Sequence, residues 1–389
     1  MTDQRGFLPT ATTNGLILVL AVGSSVIASR ALGPHGRGEF VAWQVWASTV
    51  GILVTTGVPQ AVVTLPGDRH ALGLRSVALA ALGLCVAAAI GGALALLLIH
   101  APTFATGAGA LAAAASAFSG IQIGFQQRRG NMVGGFNLAR LAPPVAAFAA
   151  SALVALSRTQ NPTTWFAVTA TLQVNAIILS GVLLRERRTT ERRRSRELLM
   201  GAIKLAPVNA VTQVQYRADS LIVAALFPAS SVGYYAVASA AGSAVLSIGQ
   251  AGGMVRFGRR SRGTVAESRA PFLATLVLAL LAAVFARPIV ALLYGSAFLP
   301  AVAAVRLLAF VGFFQSIDYY VVHVAMLHGR TALMVVLKTL YVAVVGLLLV
   351  GVAKTDADIM HVGMVVLAAS MVVSAVMVAF LVSSRGGAR

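Results

Sequence analysis

The chain has 389 residues, 58% of them hydrophobic and only 11% charged, with a formal net charge of +19. Soluble domains carry about 25% charged residues, so this composition excludes an ordinary soluble fold. The basic residues stand in short connections between apolar runs, which argues against a nucleic-acid-binding surface, and the single cysteine, Cys85, excludes an internal disulfide and a cysteine-based metal site.

Twelve apolar segments follow one another along the chain, each long enough to cross a bilayer as a helix of ~20 residues. In the N-terminal half, the predicted spans are 10–30, 41–64, 76–99, 105–126, 134–156 and 164–184. In the C-terminal half, they are 201–226, 232–255, 271–293, 301–327, 333–353 and 359–383. We therefore predict an all-α integral membrane protein with a six-helix bundle at 1–184, a basic cytoplasmic linker at 185–200 and a second six-helix bundle at 201–389.

The linker contains the one strongly charged stretch between the halves, Arg185 to Glu197, which reads RERRTTERRRSRE. Lys and Arg accumulate in the cytoplasmic connections of membrane proteins. If both termini are cytoplasmic, 23 of the 30 Lys and Arg residues fall on that side, Lys338 among them, and 5 fall outside. This imbalance predicts cytoplasmic N and C termini and favours the count of twelve spans.

A short internal repeat links the two halves. Residues 32–42 read LGPHGRGEFVA and residues 227–237 read FPASSVGYYAV, so a shift of 195 positions places Gly38 on Gly233 and Phe40 on Tyr235. Two bundles in the same orientation are related by a pseudo-two-fold axis along the membrane normal. We expect Gly33, Pro34, Gly38 and Gly233 to form an outer turn motif, with a tight turn or a close helix approach at the glycines.

Three stretches carry a resemblance to a known family: SRALGPHGRGEFVAWQVWASTVGILVTTGVPQAVV at 29–63, YRADSLIVAALFPASSVGYYAVA at 216–238 and LLYGSAFLPAVAAVRLLAF at 292–310. They resemble the polysaccharide transporter, or Wzx-like, flippases of the multidrug/oligosaccharidyl-lipid/polysaccharide (MOP) exporter superfamily. The resemblance implies a MATE/MOP-like fold in the bacterial plasma membrane. It also implies a transporter that flips an undecaprenyl-diphosphate-linked oligosaccharide, a cell-surface polysaccharide precursor, from the inner to the outer leaflet. A polysaccharide polymerase or glycosyltransferases would then be partners.

The seventh span carries the most polar residues. At 100° per residue, Asn209, Gln213 and Arg217 lie on one stripe of a continuous helix, and Asp219 lies on another. Arg217 and Asp219 are therefore not expected to pair along this helix. We expect Arg217 to bind substrate phosphate, since guanidinium stays charged at any depth, and Asp219 to couple transport to H⁺ or Na⁺.

Other candidates come from charges at the ends of spans or within them. Arg140 stands at the inner end of the fifth span and Arg306 lies on the tenth, and both are candidates for contact with an anionic head group. Asp318, also on the tenth span, is a second candidate for ion coupling. For Arg30, at the end of the first span, the family resemblance implies a role at the outer gate or in the cavity.

The number and positions of the carboxylates help to distinguish an enzyme, a drug antiporter and a lipid flippase. The sequence has no paired-carboxylate motif, no nucleotide-binding motif and no His/Cys ligand spacing, which disfavours a membrane enzyme and predicts no cofactor and no metal. A small-molecule or drug antiporter of the same superfamily stays open, although the predicted spans of the N-terminal half contain no Asp or Glu. A flippase for a peptidoglycan lipid precursor also stays open. We expect membrane lipids as partners and no nucleic acid.

Overall fold

The computed structural model describes residues 7–64, 78–129, 134–183, 195–259, 269–327, 331–355 and 358–386. Over these ranges the chain is all-helical and contains no strand. The helices are α1 (Phe7–Val54), α2 (Val58–Thr64), α3 (Ala78–Leu98), α4 (Thr103–Arg128), α5 (Gly135–Leu156), α6 (Pro162–Leu183), α7 (Ser195–Gln215), α8 (Ala218–Leu226), α9 (Ala229–Arg259), α10 (Arg269–Val284), α11 (Ala286–Leu293), a 3₁₀ helix (Ser296–Ala301), α12 (Val302–Leu327), α13 (Thr331–Ala353) and α14 (Ile359–Gly386). Residues 185–194 of the predicted linker lie outside the described residues.

The all-helical membrane class predicted from the sequence is confirmed. Within the described ranges, nine helices are long and apolar enough to cross a membrane, and ten if the pair α10 and α11, bent by 71°, counts as one span. The predicted number of twelve spans and the cytoplasmic location of both termini stay predictions.

Helix α1 contains the first predicted span, 10–30, and residues 41–54 of the second. Its 48 residues are more than the ~20 that one crossing of the bilayer needs, and they form two helices that meet at Gly33. Gly33 interrupts the helix with a φ of 65° and a ψ of −179°, and Pro34 follows it. Only glycine adopts such a conformation without a steric cost, and proline removes a backbone donor at the same point. The second predicted span, 41–64, is broken as well, because Gly57 has a φ of 90° between α1 and α2.

The chain divides into two compact units. The first consists of Met1–Ala31 and Phe40–Gln213, and the second of Leu32–Glu39 and Val214–Arg389. The predicted linker at 185–200 precedes the boundary after Gln213. Helix α7 therefore lies in the first unit through Gln213, and its last two residues belong to the second.

The first unit is held together by small residues and by apolar clusters, one of which contains seven buried side chains. A Cβ atom at Gly51 would overlap the Ala113 carbonyl, so α1 and α4 approach closely there. The cluster joins α2, α3, α4 and α7 around the buried ring of Phe125. Its other fully or nearly buried members are Ala61, Val62, Ala81, Ile121, Leu198 and Ala202.

The second unit is built around α12, which packs against α9, α10, α11, α13 and α14. Helices α9 and α12 meet at glycines on both sides. A Cβ atom at Gly242 would collide with the Leu308 carbonyl, and one at Gly312 would overlap the Gly242 carbonyl. This close packing fixes α12 in the middle of the unit, with α9 on one side and α13 and α14 in contact with it. Its side chains are therefore positioned for contacts with several neighbouring helices.

Candidate functional site

Four polar side chains meet inside the second unit, and we call them the Lys338 cluster: Gln215, Tyr216, Asp318 and Lys338. The Lys338 ammonium lies 2.7 Å from Asp318 Oδ2 and donates a 2.5 Å hydrogen bond to Gln215 Oε1. The Tyr216 hydroxyl donates to the same Asp318 oxygen at 3.0 Å, and its ring centroid lies 5.3 Å from Lys338 Nζ. The cluster therefore joins the end of α7 to α12 and α13.

Both partners of this ion pair are buried: Lys338 is 0% exposed and Asp318 is 1% exposed. Removal of either side chain would therefore leave an uncompensated charge inside the protein, which is strongly destabilising. The sequence interpretation counted Lys338 among the cytoplasmic orientation charges. Its cytoplasmic location stays a prediction, but the side chain has no solvent exposure and binds a carboxylate, so it is not a solvated loop charge.

Asp219, the second residue of α8, has a different set of partners. It accepts a 2.5 Å hydrogen bond from the Tyr235 hydroxyl of α9 on Oδ2 and a 2.7 Å bond from the Ser220 backbone N–H on Oδ1. Its position in the first turn of α8 is one where the helix dipole favours a carboxylate. Tyr235 is 2% exposed, so this bond is protected from water.

Tyr341 connects the two carboxylate environments. It follows Lys338 by three residues on α13 and therefore lies on the same face of the helix. It is buried, interacts electrostatically with both Asp219 and Asp318, and its hydroxyl lies 3.2 Å from Ser370 Oγ of α14. The two ion-coupling candidates, Asp219 and Asp318, are both buried in the second unit, and we call the buried polar side chains around them the polar core.

The seventh predicted span is not a continuous helix. Helix α7 ends at Gln215 and α8 begins at Ala218, with Arg217 as its N-cap residue and with a φ of −128°. Arg217 therefore does not lie on one helical stripe with Asn209 and Gln213, as a continuous helix would have required. The break also places Arg217 close enough to Asp219 for an electrostatic interaction. The expectation that these two residues do not pair stays a prediction.

Sequence-predicted residues of the first unit are not gathered into a comparable cluster. The Arg140 guanidinium donates a 2.6 Å hydrogen bond to Asn14 Oδ1 and lies 5.2 Å from the centroid of the Phe136 ring. Asn209 is buried and donates back to the Leu205 carbonyl of its own helix at 2.9 Å. Gln213 is half-buried.

Two candidate arginines have exposed side chains. Arg30 lies in α1, three residues before the Gly33 interruption, in the first unit. Arg306 lies near the start of α12, twelve residues or about 18 Å along the helix from Asp318. The fold therefore does not bring Arg306 into the polar core that contains Asp318.

The outer turn motif forms a reciprocal contact within the second unit. A Cβ atom at Gly38 would overlap the carbonyl oxygen of Ala229, and one at Gly233 would overlap the carbonyl oxygen of Pro34. The same shift of 195 positions relates Gly38 to Gly233 and Pro34 to Ala229, so each repeat segment makes the contact that its counterpart makes. Such exchange is what a local two-fold axis produces, and the close approach expected at the glycines is present.

This arrangement of helices is found in solved membrane transporters. A MATE protein in complex with MaL6 is 14% identical, with 96% of this chain and 93% of that chain covered and a TM-score of 0.64. The lipid II flippase MurJ, in an inward closed conformation, is 15% identical over 96% of this chain and 87% of that chain, with a TM-score of 0.65. A MOP superfamily transporter from Pyrococcus furiosus is 12% identical over 96% and 93%, with a TM-score of 0.59. No family model and no curated protein matches the sequence.

The chain has the fold shared by MATE transporters and MurJ. Both belong to the MOP superfamily, so the fold part of the sequence resemblance is confirmed. The Wzx-like subfamily stays a prediction. At 12–15% identity, the likeness extends to the fold alone, and the roles of individual residues rest on this chain's own geometry.

Sequence reasoning missed Lys338, Tyr235 and Tyr341 as functional candidates. Lys338 had a visible signal, because it is a lone charge with apolar residues on both sides, MVVLKTLYV, within a predicted span. A charge in that position normally faces a partner or a cavity. Tyr235 was seen only as the counterpart of Phe40 in the repeat, where its ring and not its hydroxyl was compared.

Tyr235→Phe provides a direct test of the Asp219 environment. The substitution keeps the ring and removes the only hydroxyl donor on Asp219 Oδ2 among the described residues. We expect the free energy of unfolding in detergent to fall by about 1–3 kcal/mol, the cost of leaving a buried polar group unsatisfied. The neighbouring Tyr234→Phe is the matched control and should change it by less than about 0.5 kcal/mol. Equal effects of the two variants would contradict this account.

Proposed function

We propose that the protein is a membrane transporter of the MOP superfamily that flips an undecaprenyl-diphosphate-linked oligosaccharide from the inner to the outer leaflet of the bacterial plasma membrane. In this proposal the chain is a twelve-span transporter with cytoplasmic termini that works by alternating access and is not an enzyme. A polysaccharide polymerase or glycosyltransferases supply or consume its lipid-linked substrate.

The charge balance of the first unit carries the proposal. Among its described residues, seven are cationic: Arg30, Arg128, Arg129, Arg140, Arg158, Arg196 and Lys204. The one acidic side chain in that part of the chain is Glu197, which is exposed at the start of α7. A unit with this charge balance attracts an anion such as a diphosphate and repels a cationic drug.

The buried carboxylates of the second unit also favour an anionic substrate. Asp318 is neutralised by Lys338, and Asp219 accepts hydrogen bonds from Tyr235 and Ser220 and interacts with Arg217. Asp318, already engaged by the Lys338 ammonium, is a poor receptor for a second cation. Recognition of cationic drugs through Asp318 is therefore disfavoured relative to recognition of an anionic lipid.

The structural neighbours are compatible with this choice of substrate class. The solved MurJ is described as a lipid II flippase. The Pyrococcus furiosus transporter is described as having a binding pocket of reverse polarity, which suggests a different function. The same fold is thus found in a lipid II flippase and in a transporter for which a different function is suggested.

Within the proposal, arginines bind the substrate diphosphate and the carboxylates of the second unit sense the coupling ion. Arg217, Arg30, Arg140 and Arg306 are the proposed phosphate contacts, with Gln213 and Asn209 as polar neighbours. Asp219 is the first candidate for coupling to H⁺ or Na⁺. Asp318 is the second, and its binding to Lys338 makes it the weaker of the two.

The test is transfer of a labelled undecaprenyl-diphosphate oligosaccharide across proteoliposomes that contain the purified protein. Parallel samples carry a proton gradient, a Na⁺ gradient or no gradient, and a second set carries labelled lipid II. Protein-dependent transfer of the oligosaccharide lipid supports the proposal, and the gradients identify the coupling ion. Transfer of lipid II alone would assign a peptidoglycan precursor instead. No transfer of either lipid by folded protein would favour a small-molecule antiporter.

Arg217→Ala should reduce transfer strongly. Loss of a charge-assisted contact to phosphate is worth about ten- to a hundred-fold in rate. Arg287→Ala is the matched control, because Arg287 has an exposed side chain on α11 and no proposed substrate contact. Initial transfer rates, normalised to protein in the vesicles, measure the effect. Unchanged transfer by Arg217→Ala would remove Arg217 from the proposed site.

A further inference from the structure

The environment of the Lys338 ammonium is that of a bound cation. Its nearest ligands are two oxygen atoms, Asp318 Oδ2 at 2.7 Å and Gln215 Oε1 at 2.5 Å, and the ring of Tyr216 lies 5.3 Å away. Carboxylate and amide oxygens are ligands for hard metal cations, and an aromatic face attracts cations of any kind. The side chain that delivers the charge is 0% exposed, so no water reaches it from solvent.

The cluster also holds an unused ligand. Asp318 Oδ1 is buried and has no hydrogen-bond partner among the described residues. Without the ammonium, both Asp318 oxygens, Gln215 Oε1 and the Tyr216 hydroxyl would surround the vacated space. Four oxygen atoms from helices α7 and α12 and from the break that follows α7 are enough to attract a monovalent metal ion, and the negative charge of Asp318 would favour its binding.

We propose that Lys338 is a covalently tethered cation in a site that would otherwise bind a monovalent metal ion. The tether keeps the carboxylate neutralised at all times, so the second unit is complete without free Na⁺ or K⁺ at this position. Replacement of Lys338 by Met empties the site and creates a binding site for Na⁺ or K⁺. One consequence rests on the proposed function: Asp318 is not the coupling-ion site of the unaltered transporter, which leaves Asp219 for that role.

The experiment compares the full-length protein, Lys338→Met and Lys338→Met/Asp318→Asn in detergent. Thermal unfolding midpoints are measured in NaCl, in KCl and in choline chloride at equal ionic strength, together with binding of radiolabelled Na⁺. The double variant has the same missing ammonium but no carboxylate charge, so it is the matched control for cation binding. None of these measurements depends on transport.

The expected result has three parts. The unaltered protein has the same midpoint in all three salts, and the double variant also shows no difference. Lys338→Met has a low midpoint in choline chloride, which Na⁺ or K⁺ raises by about 2–4 °C or more, and it binds Na⁺ where the double variant does not. A single variant that can be purified only in Na⁺ or K⁺ supports the proposal equally.

Other outcomes overturn it. One is an Asp318-dependent response of the unaltered protein to Na⁺, which would mean that Lys338 does not fill the site. Another is a Lys338→Met variant that responds no more than the double variant, or that fails to fold in every salt while the double variant folds. Failure of lipid transfer, in contrast, would refute the proposed function and leave this cation response as it stands.

Discussion

Lys338→Met should lower the free energy of unfolding by about 3–5 kcal/mol, because it leaves the buried Asp318 carboxylate without its cation. Asp318→Leu should be destabilising by a similar amount, since it leaves the ammonium unpaired. The double variant Lys338→Met/Asp318→Leu should recover most of the loss, because two apolar side chains remove both desolvation costs at once. Strong non-additivity is therefore the signature of the pair.

The measurement is denaturant or thermal unfolding of the four proteins in choline chloride, so that no metal ion fills the vacated site. Lys354→Met is the control for the chemistry of the substitution, because Lys354 has an exposed side chain just beyond the end of the same helix, α13. It should change the free energy by less than about 0.5 kcal/mol. A double variant as unstable as the sum of the two single variants would show that Lys338 and Asp318 contribute independently.

Hydropathy predicted the class of fold because the requirement for apolar surface in a bilayer acts on every residue of a span. It did not predict the interruptions at Gly57 and at Arg217, nor the 71° bend between α10 and α11. A break within an apolar run changes the backbone conformation without changing the mean hydropathy. The Gly33 interruption was easier to anticipate, because it is followed by a proline in a motif that the repeat had already singled out.

The candidate site was predicted in part and for a clear reason. Asp219 and Asp318 could be found from sequence because a carboxylate in an apolar helix is conspicuous. Their partners could not, because Tyr235 is on another helix and Lys338 is 20 residues from Asp318 along the chain. The positive-inside interpretation assigned Lys338 from its nearness to a helix end, and only packing reveals that its charge is turned inward.

Gly38→Ala and Gly233→Ala should each destabilise the second unit, although alanine is the better helix former by about 1 kcal/mol. The added methyl group of either variant would occupy the position of a backbone carbonyl oxygen, that of Ala229 or of Pro34. A backbone atom cannot rotate away as a side chain does, so the two segments must separate. We expect a loss of about 1–3 kcal/mol or more for each substitution.

The reciprocal geometry makes a sharper prediction for the double variant. A single separation of the segments at 34–38 and 229–233 relieves both overlaps, so the second alanine should cost much less than the first. Gly107→Ala is the matched control, since a methyl group there meets nothing within 4 Å in α4 and should be neutral or slightly stabilising. Unfolding free energies of the three variants and the double variant measure this coupling. Full additivity would mean that the two glycines relieve separate strains, and the local two-fold contact would then have no energetic role.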